Sequence, residues 1–335
     1  MSSPFNKGSF FVNSPFRRKK LIRSGEKRDL ISILDLSSDE IVGILLSAKE
    51  LKKEKRMKET LKGKVLGMVF QKPSTRTRVS FEVAMHQLGG NAIFLNAQDL
   101  QLSRGEAIRD TAKVLSRYLD GIVVRAYGHQ DVMELAKEST VPVINGLSDL
   151  LHPCQVLADI FTIAEKKGKL SRLLSKALSG LQIVFVGDGN NVANSWINGA
   201  AKLGMKLVIS TPPGYEPHKE ILGEGVKLAK VTGADIRILH NPEEAVKNAD
   251  VIYTDVWISM GMEKERKERL KVFRPYQVNG HLVSKGKKDV LIMHCLPAHR
   301  GEEITDDVLD GPNSIVFDQA ENRLHVQKAI LEFLI

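Results

Sequence analysis

The sequence predicts an α/β protein made of two doubly wound parallel-sheet domains joined by interdomain helices. Short apolar segments alternate with helical segments along most of the chain, which is typical of a parallel sheet covered by helices on both faces. The alternation occurs as two series, separated by a charged stretch at residues 166–176. A length of 335 residues also fits two domains of ordinary size.

The first series begins after a basic N-terminal segment. Ser37 or Ser38 is a suitable N-cap for a helix, and acidic residues follow it, as the first turn favours. This helix should run into the charged stretch 49–58, which we expect to face solvent. Strands are then predicted at 65–70, 92–95, 121–125 and 141–145, and helices at 79–88, 108–119, 132–137 and 155–165.

The second series repeats this alternation after the charged stretch, where we place the domain boundary. In doubly wound sheets, ligands bind beyond the carboxyl ends of the strands. Polar motifs at those ends are therefore the candidate functional residues. Strands are predicted at 182–186, 206–210, 236–239, 251–254 and 290–293, and helices at 193–203 and 319–334.

The net charge of +9 is concentrated near the N-terminus. Residues 1–25 contain six Lys and Arg and no acidic residue, so the rest of the chain carries only +3. We expect residues 1–27 to form a disordered extension, and the same composition leaves a transit peptide or a nucleic-acid-binding arm open. A nucleic-acid-binding regulator that uses this segment is accordingly the alternative from another functional class.

The overall composition excludes several protein classes. Hydrophobic residues make up 42% and charged residues 27%, which argues against a wholly disordered, collagen-like or disulfide-rich chain. No apolar run approaches the roughly 18 residues that suggest a membrane-spanning helix. Two cysteines in the chain fit a reducing compartment. We therefore expect a cytoplasmic protein with no membrane partner.

The most specific functional motif in the sequence directly follows the predicted strand 65–70. Ser74, Thr75 and Thr77 supply hydroxyl groups, and Arg76 and Arg78 supply guanidinium groups. The unpaired N–H groups at the start of the next helix would add further donors. This combination suits a phosphate or another oxyanion. The competing interpretation is a capped helix with surface arginines.

This motif resembles the carbamoyl-phosphate signature of the aspartate/ornithine carbamoyltransferase family, and the resemblance extends over about residues 29–335. It implies that residues 74–77 hold the phosphate and that Arg76 also faces the carbamoyl group. Gln101 matches a family loop that reaches into the neighbouring subunit's site, with an ordinary exposed loop glutamine as the alternative. Arg125, at the end of strand 121–125, matches a second phosphate arginine, with a surface ion pair as its alternative.

Three further segments resemble family motifs. His152-Pro153-Cys154-Gln155 is similar to the His-Pro-x-Gln box, whose His and Gln contact the carbamoyl group, although a lone histidine is more often structural. His294-Cys295-Leu296-Pro297 is similar to the His-Cys-Leu-Pro box, which places Cys295 near the reacting amine and the Leu296 backbone beside the carbamoyl group. The resemblance implies that Arg323 reaches carbamoyl phosphate from the final helix. Pro153 and Cys154 are included in that binding site.

The amine acceptor is indicated by the motif after strand 251–254. Asp255, followed by Ser259 and Met260, resembles the loop of the family members that carbamoylate ornithine. By that resemblance Asp255 binds the α-amino group, Ser259 and Met260 line the pocket, and Asn191 contacts the amino acid. The arginine and glutamine that hold the extra carboxylate in the aspartate enzymes are absent near Asp255. Putrescine or an acylated ornithine remains the alternative acceptor.

Two cofactor interpretations are not supported by the sequence. Gly187-Asp188-Gly189 follows a strand, as in a dinucleotide-binding turn, but Val192 stands at the third glycine position. His294, Cys295 and His299 make only a weak zinc signature, because no fourth ligand is near. We expect neither an organic cofactor nor a metal.

The expected organisation and reaction follow from the resemblance. Residues 1–27 form the extension, 28–165 a carbamoyl-phosphate-binding domain, 166–315 an ornithine-binding domain, and 316–335 a helix that returns to the first domain. The expected partners are carbamoyl phosphate, L-ornithine and two further copies of the chain, in a homotrimer with shared sites that could assemble further. The δ-amine of ornithine would attack the carbamoyl carbon, with citrulline and phosphate as products. The sequence leaves the physiological direction open.

Overall fold

Two parallel sheets, one in each half of the chain, confirm the predicted fold class. The computed structural model describes residues 27–54, 57–168, 170–171, 174–259 and 263–335, so residues 1–26 of the expected extension lie outside the described residues. The first sheet contains β1 Val65–Phe70, β2 Asn91–Asn96, β3 Gly121–Arg125 and β4 Val143–Leu147. The second contains β5 Gln182–Val186, β6 Lys206–Ser210, β7 Asp235–Leu239, β8 Val251–Thr254 and β9 Leu291–His294.

The strand orders create one topological switch point in each sheet. The first sheet runs β2-β1-β3-β4 and the second runs β7-β6-β5-β8-β9, with every neighbouring pair parallel. In the first sheet, the connection after β1 leads toward one edge and the connection after β3 leads toward the other. In the second sheet, the connections after β5 and β8 diverge in the same way. A crevice opens where the connections diverge. These two crevices are where the polar motifs lie.

Thirteen α-helices are found in the described residues, and the start of the first shows how the local sequence specifies a helix. Ser37 caps the first helix, because its side chain accepts the N–H of Glu40 while Glu40 bonds back to the Ser37 N–H. The helices are α1 Ser38–Lys53, α2 Thr75–Gln87, α3 Ile108–Leu115, α4 His129–Glu138, α5 Pro153–Lys166, α6 Leu174–Leu178, α7 Asn191–Leu203, α8 Lys219–Thr232, α9 Pro242–Ala245, α10 Arg266–Phe273, α11 Gly280–Val283, α12 Asp306–Leu309 and α13 Val316–Leu334.

The start of one predicted helix was wrong, and one helix was not predicted. The helix predicted at 79–88 begins at Thr75, so the hydroxyl and arginine motif forms its first turn instead of preceding it. No helix was predicted at α8, whose sequence contains Gly223 and Gly225. A Cβ on Gly225 would lie 2.3 Å from Cγ2 of Ile197, so this glycine allows α8 to approach α7 closely.

The last helix, α13, packs across the first half of the molecule. It contacts α1, α2 and α5, and Val326, Ile330 and Leu331 are buried in that contact. Helices α5 and α7 also pack together, so one hydrophobic cluster extends from α13 to Phe185 and Trp196 in the second half. The two halves therefore share a core. No helix in the described ranges is both long and apolar enough to cross a membrane.

The packing of α13 predicts a large effect of one core substitution. Ile330 is fully buried, so Ile330→Ala should lower the free energy of unfolding by about 2–5 kcal/mol, through lost burial and the cavity left behind. Val231, on α8, is 84% exposed, and Val231→Ala should change it by no more than about 0.5 kcal/mol. Urea unfolding, followed by tryptophan fluorescence, measures both. Equal effects would contradict the core position of α13.

Candidate active site

A cleft of about 1060 Å³ lies between the two halves, at the carboxyl ends of the strands. It receives residues that follow β1 and β3 from the first sheet, and residues that follow β5, β8 and β9 from the second. The arrangement follows from the two switch points, whose crevices face each other. Among the predicted site residues, the cleft is lined by Ser74, Thr75, Arg76, Thr77, Arg125, His152, Gln155, Asn191, Asp255, Ser259, Cys295, Leu296 and Arg323.

Three of the predicted residues that the structure describes do not line the cleft within this chain. Gln101 is exposed on a short 3-10 helix, Gln101–Arg104. Pro153 is the first residue of α5, and the buried Cys154 side chain points to the carbonyl oxygen of Asn145, with Sγ at 3.6 Å. Burial raises the pKa of Cys154 to about 12. Met260 lies outside the described residues.

The start of α2 forms one wall of the cleft. Ser74 is its N-cap, and Ser74 Oγ accepts the N–H of Thr77 at 3.2 Å. Arg76 is half-buried and faces the cleft, whereas Arg78 is exposed, pairs with Glu82 at 3.0 Å and stacks on Phe94. The expectation that Arg78 adds to the anion site was therefore wrong, because residues two apart on a helix point in nearly opposite directions.

Two buried arginines complete the anion pocket. Arg323 of α13 donates from Nη2 to Thr77 Oγ1 at 2.7 Å and from Nη1 to Gln155 Oε1 at 3.0 Å. Arg125 ends β3, and burial, with Arg323 and Arg76 nearby, lowers its pKa to about 10. Among the described residues, none of these three arginines has a carboxylate partner within salt-bridge distance. Like charges gathered in this way favour a doubly charged anion.

One further cation at this pocket was missed from the sequence. Lys72 is buried with its Nζ 4.8 Å from the ring centre of Tyr127, and it lines the cleft. Burial and the charge of Arg125 lower its pKa. The sequence signal was its position between β1 and the Ser74 motif.

His152 lies beside the anion pocket as an uncharged ring. It precedes α5, and its backbone N–H donates to Ser195 Oγ of α7 at 2.7 Å, which ties the two halves together. Burial, followed by the charges of Arg323 and Arg125, lowers its pKa well below the usual value. Its Nδ1 has no hydrogen-bond partner among the described residues. A neutral imidazole can therefore contribute a hydrogen bond without adding charge.

The opposite wall is built around Asp255, which follows β8. Cys295 Sγ donates to Asp255 Oδ1 at 2.9 Å, and Asn190 Nδ2 donates to Asp255 Oδ2 at 2.8 Å. Asn191, the predicted amino-acid contact, also lines the cleft, but its Nδ2 donates to the carbonyl oxygen of Ser148 across the cleft at 2.6 Å. The family resemblance points to the pair Asn190 and Asn191, with Asn191 preferred, whereas it is the Asn190 side chain that contacts Asp255.

The turn that carries Cys295 is held by a buried histidine. His294 Nε2 lies 2.9 Å from Glu303 Oε1, and His294 Nδ1 accepts the N–H of Leu296 at 2.9 Å. Asp255, His294 and Cys295 lie close enough to hold a metal ion, as do His299, Glu302 and Glu303. In the first group both ring nitrogens of His294 are already engaged in hydrogen bonds.

The Gly187-Asp188-Gly189 turn has a structural explanation that the sequence did not reveal. A Cβ on Gly189 would lie 2.3 Å from the backbone N of Pro217, so a glycine is needed where the two loops touch. Asp188 pairs with Arg269 at 2.6 Å, and Arg269 Nε donates to the carbonyl oxygen of Trp257. Burial raises the pKa of Asp188 to about 6, although Arg269 opposes the rise.

The fold and the cleft together are those of an α/β enzyme, with a group of arginines on one wall of the cleft and the buried Asp255 carboxylate on the other. The two halves match two family models in the same order. Residues 28–165 match the aspartate/ornithine carbamoyltransferase carbamoyl-P binding domain, and residues 179–334 match the Asp/Orn binding domain. The chain belongs to the aspartate/ornithine carbamoyltransferase family, which confirms the family resemblance.

Several similar proteins share the name ornithine carbamoyltransferase. One from Syntrophus aciditrophicus is 57% identical and covers 92% of this chain and all of its own. The anabolic ornithine carbamoyltransferase of Pyrococcus furiosus is 58% identical and covers 91% of this chain and 95% of its own. A solved ornithine carbamoyltransferase structure from Pyrococcus furiosus superposes with a TM-score of 0.87, at 57% identity, over 94% of this chain and 98% of its own.

The contact between Cys295 and Asp255 predicts a poorly reactive thiol. Burial and the Asp255 carboxylate hold the pKa of Cys295 well above its usual value. Cys295 should therefore react with iodoacetamide at pH 8 at least about tenfold more slowly than free cysteine. Asp255→Asn should accelerate the reaction, because the negative charge is removed.

Peptide mass mapping after timed alkylation measures this rate. Asp235→Asn, on β7 away from the cleft, is the matched control and should leave the rate unchanged. Equal rates in the Asp255→Asn and wild-type proteins would show that Asp255 does not control the thiol.

Proposed function

We propose that this chain is an ornithine carbamoyltransferase, which transfers the carbamoyl group of carbamoyl phosphate to the δ-amine of L-ornithine and gives L-citrulline and phosphate. The observation that carries the proposal is the position of Asp255 and Cys295, which face an arginine-rich pocket across one cleft. The match to both family domains and the shared name of the relatives support it. The Pyrococcus furiosus relative, named anabolic, favours the direction toward citrulline.

The anion pocket would hold the phosphate of carbamoyl phosphate. Ser74, Thr75 and Thr77 lie in the capped first turn of α2, where hydroxyl and N–H donors meet the positive end of the helix. With a pKa of about 10, Arg125 stays charged at neutral pH, so it can neutralise the phosphate together with Arg323. Binding the anion would also relieve the repulsion among the arginines.

The carbamoyl group would sit between the two walls. Arg76 and His152 would stabilise the negative oxygen that forms when the amine attacks the carbamoyl carbon. Gln155 would contact the carbamoyl group, and the backbone of Leu296 would help to orient it. In our proposal the side chains of Pro153 and Cys154 shape the start of α5 without touching the reacting atoms. Departing phosphate can accept the proton, so no separate general base is required.

The amine must be uncharged when it attacks. An alkyl amine with a pKa of about 10.4 is neutral in only about one molecule in 2,500 at pH 7. The nearby positive charges of Arg76 and Arg125 would lower that pKa, as like charges do. Because Cys295 remains a protonated thiol hydrogen-bonded to Asp255, its role would be to orient the amine and not to act as a nucleophile.

The amino-acid end of ornithine would bind beyond Cys295. Asp255 would take the α-amino group, and Asn191, Ser259 and Met260 would form the rest of this pocket. Asp255 is buried and holds its two oxygens toward neutral donors, so a cationic ammonium group would supply its missing counter-charge. Neither an organic cofactor nor a metal has a step in this mechanism.

We also propose a homotrimer with shared sites in the cytoplasm. Gln101 is exposed and does not line the cleft of its own chain, which agrees with a role in a neighbouring subunit's site. Both cysteines are free, as in a reducing compartment. Assembly beyond the trimer would need additional contacts on the outer surface.

Product formation distinguishes ornithine from the alternative acceptors. With carbamoyl phosphate, the protein should form citrulline from ornithine, and phosphate in equal amount. Aspartate carries an additional carboxylate, putrescine lacks the α-carboxylate of ornithine, and N-acetylornithine has its α-amino group blocked. We therefore expect none of the three to give a carbamoylated product. Mass spectrometry of the products identifies the acceptor. Carbamoylputrescine or acetylcitrulline as the main product would overturn the proposed substrate.

A mixing experiment tests the shared site. Arg76→Ala should lower turnover by about 10²–10³, as expected for the loss of an oxyanion donor, and Gln101→Ala should also lower it. Trimers reassembled from equal amounts of both variants should recover about a quarter of wild-type turnover, because some sites then combine two intact residues across a head-to-tail contact. Mixing either variant with itself is the control. No recovery would argue for a self-contained subunit.

A further inference from the structure

A buried carboxyl group that the proposed reaction does not use lies behind the cleft wall. Asp159 is on α5, one turn after Gln155, and is fully buried. It does not line the cleft itself. No cation lies within salt-bridge distance of it among the described residues, and the groups that hydrogen-bond to it are all neutral: the amides of Gln155 and Gln319 and the hydroxyl of Tyr253.

Two amide groups donate to the same oxygen of Asp159. Gln155 Nε2 lies 2.8 Å from Asp159 Oδ1, and Gln319 Nε2 of α13 lies 2.7 Å from the same atom. Burial raises the pKa of Asp159 to about 7, and these hydrogen bonds oppose the rise. An acceptor oxygen in this position determines which end of each amide turns toward it.

The orientation of the Gln155 side chain follows from these contacts. Because Nε2 is directed at Asp159, Oε1 is directed away from it, where it accepts a hydrogen bond from Arg323 at 3.0 Å. Gln155, Arg323 and His152 all line the cleft. The cleft therefore presents a carbonyl acceptor at this point instead of an NH₂ donor.

The side chain of Gln319 is oriented by Asp159 in the same way, and it contacts the second half of the molecule. Its Nε2 donates to Asp159, and its Oε1 accepts the N–H of His294 at 3.0 Å. His294 directly precedes Cys295. The carboxyl group of Asp159 thus lies at the centre of a hydrogen-bond chain from Arg323 to the turn that carries the thiol.

We infer that Asp159 is a positioning residue that fixes Gln155 as a hydrogen-bond acceptor and thereby selects a carbamoyl group over an acyl group of the same shape. The inference rests on the proposed function, in which Gln155 contacts the carbamoyl group. A carbamoyl group offers N–H donors to the Gln155 oxygen, whereas an acetyl group offers only a methyl group there. Arg323 already donates to one lone pair of this oxygen, so a methyl group would leave its second lone pair without a donor when the cleft is filled.

Two stable phosphonates test this selection without any reaction. Phosphonoacetamide and 2-oxopropylphosphonate differ only in an NH₂ group against a CH₃ group. Isothermal titration calorimetry on the full-length chain, without amine, gives both dissociation constants. The wild-type protein should bind the amide about tenfold more tightly, as one neutral hydrogen bond allows, and Asp159→Leu should lose that preference.

Two control variants separate positioning from general stability. Asp159→Asn keeps an oxygen at the Oδ1 position and should keep the preference. Thr162→Val removes a buried hydrogen bond between the same two helices, in which Asn322 Nδ2 donates to Thr162 Oγ1 at 3.0 Å, without contacting Gln155. It should also keep the preference, even if the protein melts at a lower temperature.

Several outcomes would overturn the inference. They are an unchanged preference in folded Asp159→Leu, a lost preference in Asp159→Asn, and an equal loss in Thr162→Val. The isosteric Asp159→Asn protein remains a test if Asp159→Leu does not fold. A wild-type protein that forms citrulline but binds both phosphonates equally would overturn this inference alone, whereas absent citrulline formation would overturn the proposed function.

Discussion

The burial of positive charge at the first switch point is the constraint on which the site depends. Arg323 and Arg125 are each less than a tenth exposed, and neither has a carboxylate partner among the described residues. Removing such charges from water is costly unless hydrogen bonds and an opposite charge compensate. Thr77 and Gln155 supply the hydrogen bonds to Arg323, and the phosphate of the proposed substrate would supply the opposite charge.

The fold brings this charged pocket to the amine-binding wall through its strand order. Both sheets reverse direction at an internal strand pair, β1 with β3 and β5 with β8, and their crevices face one cleft. Helices α5, α7 and α13 then hold the facing crevices together, since they share one hydrophobic cluster. His152 and Gln319 add hydrogen bonds across the same junction. The packing of these helices therefore helps to set the positions of the groups that face the cleft.

The sequence allowed the strands to be located closely, because a buried parallel strand is a short apolar run that requires no knowledge of its neighbours. Strands 65–70, 121–125, 182–186, 206–210 and 251–254 were predicted with the observed bounds. Helix α8 was missed because two glycines weaken its local helical signal, and only contact with α7 explains Gly225. Arg78 was overestimated because the hydroxyl and arginine motif was read as a loop, whereas its residues lie on a helix that divides them between two faces.

By itself, the sequence determined the fold class, the family and thirteen of the residues that line the cleft. It could do so because these depend on local patterns, namely apolar runs and polar motifs at their ends. Only the tertiary structure decided which groups meet. Asp255 and Cys295 are 40 positions apart and Asp159 and Gln319 are 160 apart, and each pair lies within 3 Å. Such pairings depend on how helices and sheets pack, which no local pattern specifies.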